Sequence, residues 1–236
     1  MDFEPRYLRE EGIEMEGSFA SLMKNVYLWM TLGLAITGLT AFFLSHRLDI
    51  MTTIASSPII FGGIIIGELA VVIILSARIM KLSFAAASIM FGLYAILTGV
   101  TFAFIFLSYS VESITTTFLV TAGTFAGMSF VGYTTKKDLS VMGKVLYMLL
   151  IGLIIATLVN IFLGNSLFDF ILSILGVAIF TGLTAWDTQK IKKMFIEYYD
   201  AEPEMLQKLS VLASLTLYLD FINLFLYLLR FMGRDR

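Results

Sequence analysis

Apolar segments long enough to cross a bilayer follow one another along most of the chain. A helix rises about 1.5 Å per residue, so about 20 apolar residues cross the ~30 Å hydrocarbon core of a membrane. Seven segments reach that length: 25–45, 58–78, 83–107, 112–133, 141–163, 167–187 and 209–230. They are continuous apolar runs, without the strict alternation of barrel strands, so the sequence predicts an all-α membrane protein.

Composition agrees with a membrane domain and indicates how the chain is divided. The mean hydropathy is +0.90, 58% of residues are hydrophobic and only 14% are charged, which excludes a soluble domain with a solvated surface. The connections between apolar segments are short. We therefore expect a polar tail at 1–24, one seven-helix domain at 25–230 and a short tail at 231–236. The first tail lacks the apolar core of a signal peptide and is expected to stay polar or to form an interfacial helix.

Several functional classes are excluded by residue usage. The net charge of −2 and the absence of basic clusters beyond "KIKK" at 190–193 argue against a nucleic-acid partner. The chain has no cysteine, which excludes disulfides, thiolate metal sites and cysteine nucleophiles. The lone histidine, His46, falls in a predicted loop, so we expect no imidazole metal cluster. We expect no bound cofactor, and the lipid bilayer is the expected environment.

The lysines and arginines indicate an orientation. With the N-terminus cytoplasmic, twelve of the 16 basic residues collect on that side. Arg47 lies on the other side together with Arg230, Arg234 and Arg236, and these last three conflict with the rule. A re-entrant final segment would remove the conflict and leave six spans, but its roughly 22 residues are long enough to cross. We expect seven spans with the C-terminus outside. The short polar tails favour a bacterial inner membrane, with an internal eukaryotic membrane as the alternative.

Two pairs of glycines have the spacing of close helix contacts. Gly63 with Gly67 and Gly123 with Gly127 each place two small residues on one helix face. Such pairs let membrane helices approach closely. The sequence predicts helix packing at both places.

Two carboxylates lie deep within predicted spans. Asp220 is twelve residues beyond Lys208, or ~18 Å along a helix, and Glu68 is ten residues before Arg78, or ~15 Å. An ionised carboxylate at bilayer depth costs about 3 kcal/mol on insertion scales, so each must face protein or water. Both are candidates for function.

Three further charged residues lie at the edges of spans. Arg78 and Arg230 can extend to the interface, which would be an ordinary role. Asp187 lies three residues before Lys190, so an interfacial carboxylate is one interpretation. It meets Asp220 only if its helix sits deep or continues through "DTQKIKKMFIEYY", which contains no glycine or proline.

A meeting of Asp187 and Asp220 would have a chemical use. Two carboxylates that share one site influence each other's protonation and can hold one proton between them, which makes the pair a pH sensor. Carboxylate oxygens also suit calcium when they are deprotonated. The two aspartates are therefore a predicted proton sensor and a possible calcium contact.

Three stretches give the chain a resemblance to a known family. They are "KNVYLWMTLGLAITGLTAF" in the first span, "AWDTQKIKK" around Asp187 and "LYLDFINLFLYLLRFMG" around Asp220. With these, the sequence resembles the Bax inhibitor family, also called transmembrane Bax-inhibitor-motif proteins. The resemblance extends over most of the chain.

The resemblance implies both a fold and a function. The fold is a seven-helix bundle in which the other six helices wrap the last one, and the function is a pH-sensitive calcium leak rather than catalysis. Calcium is then the permeant ion, and protons are the signal. The resemblance also implies that Asp187 and Asp220 form a hydrogen-bonded sensor, that Arg78 pairs with Asp187 as a latch, and that Glu68 and Arg230 seal the opposite end.

Three other functions are alternatives to a leak. An intramembrane aspartyl protease would use two such carboxylates, but "WDTQ" and "YLDF" lack the tyrosine-aspartate and glycine-x-glycine-aspartate motifs of that class. A proton-coupled transporter or cation exchanger is the main alternative and needs discontinuous helices at midplane. No proline lies inside a span to mark one, because Pro58 is at an edge. A regulatory protein that binds partners would need an exposed domain, and none is evident.

Overall fold

The computed structural model of the protein describes residues 6–198 and 200–233, with side chains from residue 19 onward. Regular structure in these ranges is helical throughout. The α-helices are α1 (Arg6–Ser45), α2 (Leu48–Ser56), α3 (Pro58–Arg78), α4 (Phe84–Ser108), α5 (Val111–Thr134), α6 (Ser140–Leu163), α7 (Ser166–Glu197) and α8 (Pro203–Met232), and a 3-10 turn at Ile79–Lys81 follows α3.

Seven helices are long and apolar enough to cross a membrane. They are α1 from Phe19 onward and the helices α3 to α8. The predicted all-α fold with seven spans is confirmed, and most of the predicted ends agree within a few residues. The backbone of α1 is helical from Arg6, so most of the predicted tail continues the first span as helix.

One short helix was not predicted from the sequence. The segment Leu48–Ser56 lies between the first two predicted spans and forms α2, which packs against α1 and α3. Met51 and Ile54 are buried on its inner face, and Asp49 in its first turn pairs with Arg47 at 2.9 Å. An acidic group in the first turn also interacts favourably with the helix dipole. His46 lies in the exposed turn before this helix.

Side-chain caps explain why the spans begin where they do. The side chains of Ser57, Ser83, Ser110 and Asn165 each accept a hydrogen bond from the backbone N–H three residues later, at 3.0–3.4 Å. Such caps contribute about 1 kcal/mol each. At the other end of α6, Gly164 adopts φ +61°, a left-handed conformation that glycine takes without strain. These residues keep the connections between spans short.

The last helix is the centre of the bundle, as predicted. Half of its 30 residues are buried, and Leu217, Tyr218 and Leu224 have no exposed surface. The helices α1, α4, α5 and α7 pack directly on α8. The outer layer is completed by α3, which packs mainly on α4, and by α6, which packs on α7. The side chains of α3 and α6 are mostly exposed, as expected for helices that face lipid.

The helix α7 extends well beyond its predicted apolar segment. It runs without a break to Glu197, ten residues past Asp187. Ile191 and Phe195 are only 4% and 2% exposed, so the extension has an apolar face that packs inward. The sequence left this continuation open, and the structure places Asp187 in the interior of the helix.

The predicted close contacts at two glycine pairs are wrong. A side-chain carbon added at Gly63, Gly123 or Gly127 would have no other atom within 4 Å, and one at Gly67 would meet only the side chain of Leu97 at 3.7 Å. The spacing of small residues identifies a shared helix face but does not say which helix, if any, that face contacts. The face of Gly123 and Gly127 is open, and Gly67 contacts α4 only at an ordinary packing distance that does not require glycine.

Close helix contacts are made at other glycines instead. Gly132 of α5 lies directly against the backbone carbonyl of Ala185 in α7, and Gly143 of α6 lies flat against the ring of Trp186. Any side-chain carbon at either position would overlap these atoms. Both contacts hold α5 and α6 on the segment of α7 just before Asp187.

Candidate functional site

A cavity of about 750 Å³ lies between α3, α6, α7 and α8. Its lining includes both Asp187 and Asp220. The lining residues of α7 run from Phe180 to Glu197, which corresponds to ~25 Å along the helix. Glu197 is exposed, so the cavity extends from the buried carboxylates to the exposed end of α7.

The two aspartates are both buried at the same cavity. Asp187 is 2% exposed and Asp220 is 5% exposed, and their carboxyl groups interact electrostatically. Oδ1 of Asp187 and Oδ2 of Asp220 have no hydrogen-bond partner among the described residues. Within that part of the chain, no hydrogen bond joins the two carboxyl groups. A buried carboxylate oxygen without a partner is costly, so the site favours a proton or a cation.

Lys190 is the lysine that interacts with both aspartates. It lines the same cavity, and its ammonium interacts electrostatically with both Asp187 and Asp220. The ammonium also lies 5.1 Å from the centre of the Trp186 ring. Sequence reasoning used Lys190 only as a sign of the membrane interface. Its position three residues after Asp187, on the same helix face, was the signal available.

Tyr147 of α6 completes the polar end of the cavity. Its ring packs edge-on against Trp186 at 5.2 Å, and the phenol interacts electrostatically with both Asp187 and Asp220. No pattern in the sequence distinguished Tyr147 from other aromatic residues of the spans. Tyr147 reaches the cavity only because α6 packs against α7.

Arg78, the predicted latch, is exposed at the end of α3. Among the described residues, no ion pair joins it to Asp187 or Asp220. Ser76, two residues earlier on the same helix, does line the cavity. The end of α3 therefore borders the cavity that contains the aspartates, whereas no described ion pair joins the guanidinium of Arg78 to them.

The two residues of the predicted seal have separate partners. Glu68 is half-buried and accepts a hydrogen bond from the Thr101 hydroxyl at 3.1 Å. Arg230 lies 3.8 Å from Asp169 of α7, and its guanidinium is over the Tyr227 ring at 5.8 Å. No ion pair joins Glu68 to Arg230 within the described ranges. Because the Arg230 pair is half-exposed, it contributes little to stability, about 0–1 kcal/mol.

Polar groups also meet on the other face of α8. The Tyr218 phenol and the Thr37 hydroxyl are hydrogen-bonded at 2.6 Å, and Thr37 donates to the Ala95 carbonyl at 2.9 Å. Thr98 is 3% exposed, and its hydroxyl has no hydrogen-bond partner within the described residues. The sequence did not point to this cluster, because threonine and tyrosine are common in membrane helices.

The loop between α5 and α6 is fastened to α7 next to the aspartates. The Gln189 side chain donates to the Lys137 carbonyl at 2.8 Å and accepts from the Leu139 N–H at 2.9 Å. Lys193 pairs with Asp138 at 2.6 Å, and this contact lowers the pKa of Asp138 to about 2. The ion pair is exposed, whereas Gln189 is 7% exposed. The amide of Gln189 is therefore the principal fastening.

We predict that Gln189→Ala loosens this loop. The substitution leaves a backbone N–H and a carbonyl without their partner, which costs about 1–3 kcal/mol where the groups stay buried. The expected result is a lower Tm and faster hydrogen exchange at residues 135–139 in purified protein. Gln207→Ala, at an exposed position of α8, is the matched control and should leave both unchanged. Equal exchange rates in wild type and Gln189→Ala would contradict the role of this amide.

Two carboxyl groups offer about four oxygens, fewer than a resident calcium site uses. Among the described residues, no group of three or more histidine, aspartate or glutamate side chains is placed to hold a metal ion. Calcium takes six to eight oxygen ligands in roughly spherical arrangements. Two carboxylates can contact a passing calcium ion whose remaining ligands are supplied by water.

The fold and the cavity define a class of protein: a helical membrane bundle with a central helix that carries a buried carboxylate. The family model described as Inhibitor of apoptosis-promoting Bax1 matches residues 20–236. The chain belongs to the Bax inhibitor family.

Relatives from several bacteria are similar over nearly the whole chain. The inner membrane protein YbhL of Escherichia coli K12 is 44% identical over 232 residues, which cover 98% of this chain and 99% of YbhL. An uncharacterized protein of Borreliella burgdorferi is 47% identical over 220 residues, with 91% and 94% covered. The uncharacterized protein RP147 of Rickettsia prowazekii is 43% identical over 222 residues, with 91% and 89% covered.

Proposed function

We propose that the protein is a pH-sensitive calcium leak in which Asp187 and Asp220 are the proton sensor. One observation carries the proposal: two buried carboxyl groups, each with an oxygen lacking a hydrogen-bond partner, line one cavity that extends to the exposed end of α7. Removing a charged carboxylate from water is costly. Such an arrangement would be difficult to explain as a purely structural feature of a membrane helix.

Protonation changes the charge of the cavity. With both carboxylates ionised, the pair and Lys190 together carry a net charge of about −1, which attracts cations. Uptake of one proton removes that charge. If one conformation binds the proton more tightly than the other, protonation shifts the conformational equilibrium toward that conformation.

The latch is part of the proposal. Ionised Asp187 would attract Arg78 and draw the end of α3 against α7, which closes the passage, and protonation would weaken this attraction. In this proposal, an exposed Arg78 would represent the unlatched arrangement. We further propose that Glu68 and Arg230 close the opposite end, where Arg230 already pairs with Asp169.

The similarity to YbhL supports a location. YbhL is described as an inner membrane protein, and we propose the same membrane for this chain, with the N-terminus cytoplasmic. Passage of calcium and protons through the bundle, rather than catalysis, is the proposed activity.

Calcium flux in proteoliposomes tests the leak. Purified full-length protein is reconstituted with a calcium-sensitive dye inside the vesicles, and passive flux is measured between pH 6 and pH 8. We expect flux above that of protein-free vesicles, with a rise on acidification. Arg78→Gln should raise flux at neutral pH because the latch is lost, whereas Lys144→Gln at an exposed site of α6 should not. Flux equal to that of protein-free vesicles at every pH would refute the leak.

The same vesicles distinguish a leak from an exchanger. A leak only dissipates a calcium gradient, whereas an exchanger accumulates calcium uphill when a proton gradient is imposed. The seven spans are each described as continuous helix, without the broken helices that mark many transporter sites. Uphill accumulation would replace the leak with proton-coupled exchange.

A further inference from the structure

A second, apolar cavity lies on the other side of the central helix. It has a volume of about 780 Å³ and is lined by α1 from Met23 to Gly38 and by α5 from Phe118 to Tyr133. Phe221 of α8 forms its floor. We call it the α1/α5 slot. A smaller cavity of about 250 Å³ shares Phe118 and Phe221 with it and continues it along α8.

The dimensions of the slot suit one hydrocarbon chain. Its lining on α1 runs from Met23 to Gly38, which corresponds to ~22 Å along the helix. A lipid acyl chain reaches through about half of the ~30 Å hydrocarbon core, or ~15 Å. Small residues such as Ala35, Gly38 and Ala126 line the slot and leave space between the two helices. The slot therefore has the length and the apolar surface to hold an acyl chain.

One end of the slot carries positive charge. Lys192 of α7 donates a hydrogen bond to the Tyr133 carbonyl at 3.2 Å, and its ammonium is 5.0 Å from the centre of the Tyr133 ring. Tyr133 is the last slot residue of α5. Lys24 is exposed on α1 next to Met23, the first slot residue of that helix. Two lysines thus flank the same end of the slot.

The acid in the loop after α5 is paired with a different lysine. Asp138, in the loop after α5, is paired with Lys193 at 2.6 Å. Lys192 has a neutral carbonyl and aromatic rings as its partners. An ammonium with three hydrogens can still donate to an additional acceptor. A phosphate at this end of the slot would lie beside Lys192.

We propose that the α1/α5 slot binds one anionic phospholipid, with an acyl chain between α1 and α5 and the phosphate at Lys192 and Lys24. The apolar slot supplies the affinity for the chain, and the lysines supply the preference for negative charge. Each lysine near the headgroup raises the affinity of the site for an anionic lipid about 5-fold. The site is separate from the aspartate cavity, which lies on the opposite side of α8.

Lipid titrations of delipidated, detergent-solubilised protein test this site. The probes are dioleoylphosphatidylglycerol and dioleoylphosphatidylcholine, which have the same chains and differ in headgroup charge. Binding is followed by native mass spectrometry and by the increase in Tm. We expect the glycerol lipid to bind more tightly than the choline lipid. Lys192→Gln should weaken binding of the glycerol lipid about 5-fold and reduce the difference between the lipids. Lys144→Gln, on α6, should do neither.

A second set of variants tests the slot itself. Ala126→Phe places a ring in the slot and should abolish tight binding of both lipids, whereas Gly127→Phe, one residue along the same helix and outside the slot lining, should not. If Ala126→Phe fails to give monodisperse protein, Gly38→Leu fills the slot from α1, where no atom lies within 4 Å of the new side-chain carbon. Equal binding of the two lipids by wild type, or equal losses in Ala126→Phe and Gly127→Phe, would overturn the proposal.

Discussion

Replacing Asp220 with asparagine is expected to flatten the pH dependence of calcium flux and to change the flux at neutral pH by about tenfold. An asparagine amide cannot titrate, so the variant should behave at every pH as if the sensor were protonated. Uptake of one proton by one conformation changes a conformational equilibrium by up to about tenfold per pH unit. The measurement is passive flux in proteoliposomes at pH 6, 7 and 8, with equal amounts of reconstituted protein.

Matched variants show whether the effect belongs to the pair. Asp187→Asn should flatten the profile in the same way, and the double variant should add little because the two groups titrate as one unit. Asp49→Asn removes an exposed carboxylate on α2 and should leave the profile unchanged. Wild-type pH dependence in both Asp187→Asn and Asp220→Asn would refute the sensor while leaving a calcium leak possible.

Gly132→Ala is expected to be the most destabilising small substitution in the bundle. A methyl group at Gly132 would overlap the backbone carbonyl of Ala185, and a backbone atom cannot move aside as a flexible side chain can. Overpacking of this kind costs about 3 kcal/mol. The expected result is a markedly lower Tm of the purified protein. Because Ala185 lies two residues before Asp187, the pH profile of flux should change as well.

Gly127→Ala is the control for Gly132→Ala on the same helix. No atom lies within 4 Å of a side-chain carbon at Gly127, so the substitution should be neutral or stabilise α5 by up to about 1 kcal/mol. If Gly132→Ala unfolds at the same temperature as Gly127→Ala, the contact between α5 and α7 is looser than the structure indicates.

The spans were predictable because bilayer thickness fixes their length. Each of the seven apolar segments is a helix of at least that length, and serine or asparagine caps occur at several of the starts. The short helix α2 was missed because nine residues with two buried side chains give too weak a pattern. The glycine contacts were predicted at the wrong positions, because a spacing does not identify the helix that faces it.

The candidate site was predictable only in part. The depth of Asp220 followed from counting residues, and the meeting with Asp187 depended on whether α7 continued past its apolar segment. Lys190 and Tyr147 were not predicted as site residues, because each enters the cavity through the packing of α6 and α7. The roles of Arg78, Glu68 and Arg230 stay predictions, and flux measurements on variants of each can test them.

The unbroken course of α7 makes three sites mechanically dependent on one another. Within six residues, Asp187 faces the aspartate cavity, Gln189 holds the loop between α5 and α6, and Lys192 reaches the end of the α1/α5 slot. At 3.6 residues per turn, these side chains point in three different directions from the axis of one continuous helix. A rotation of α7 that follows protonation of Asp187 would turn all three together. The lipid composition of the membrane and the pH of the solution beside it would then both act on the position of α7.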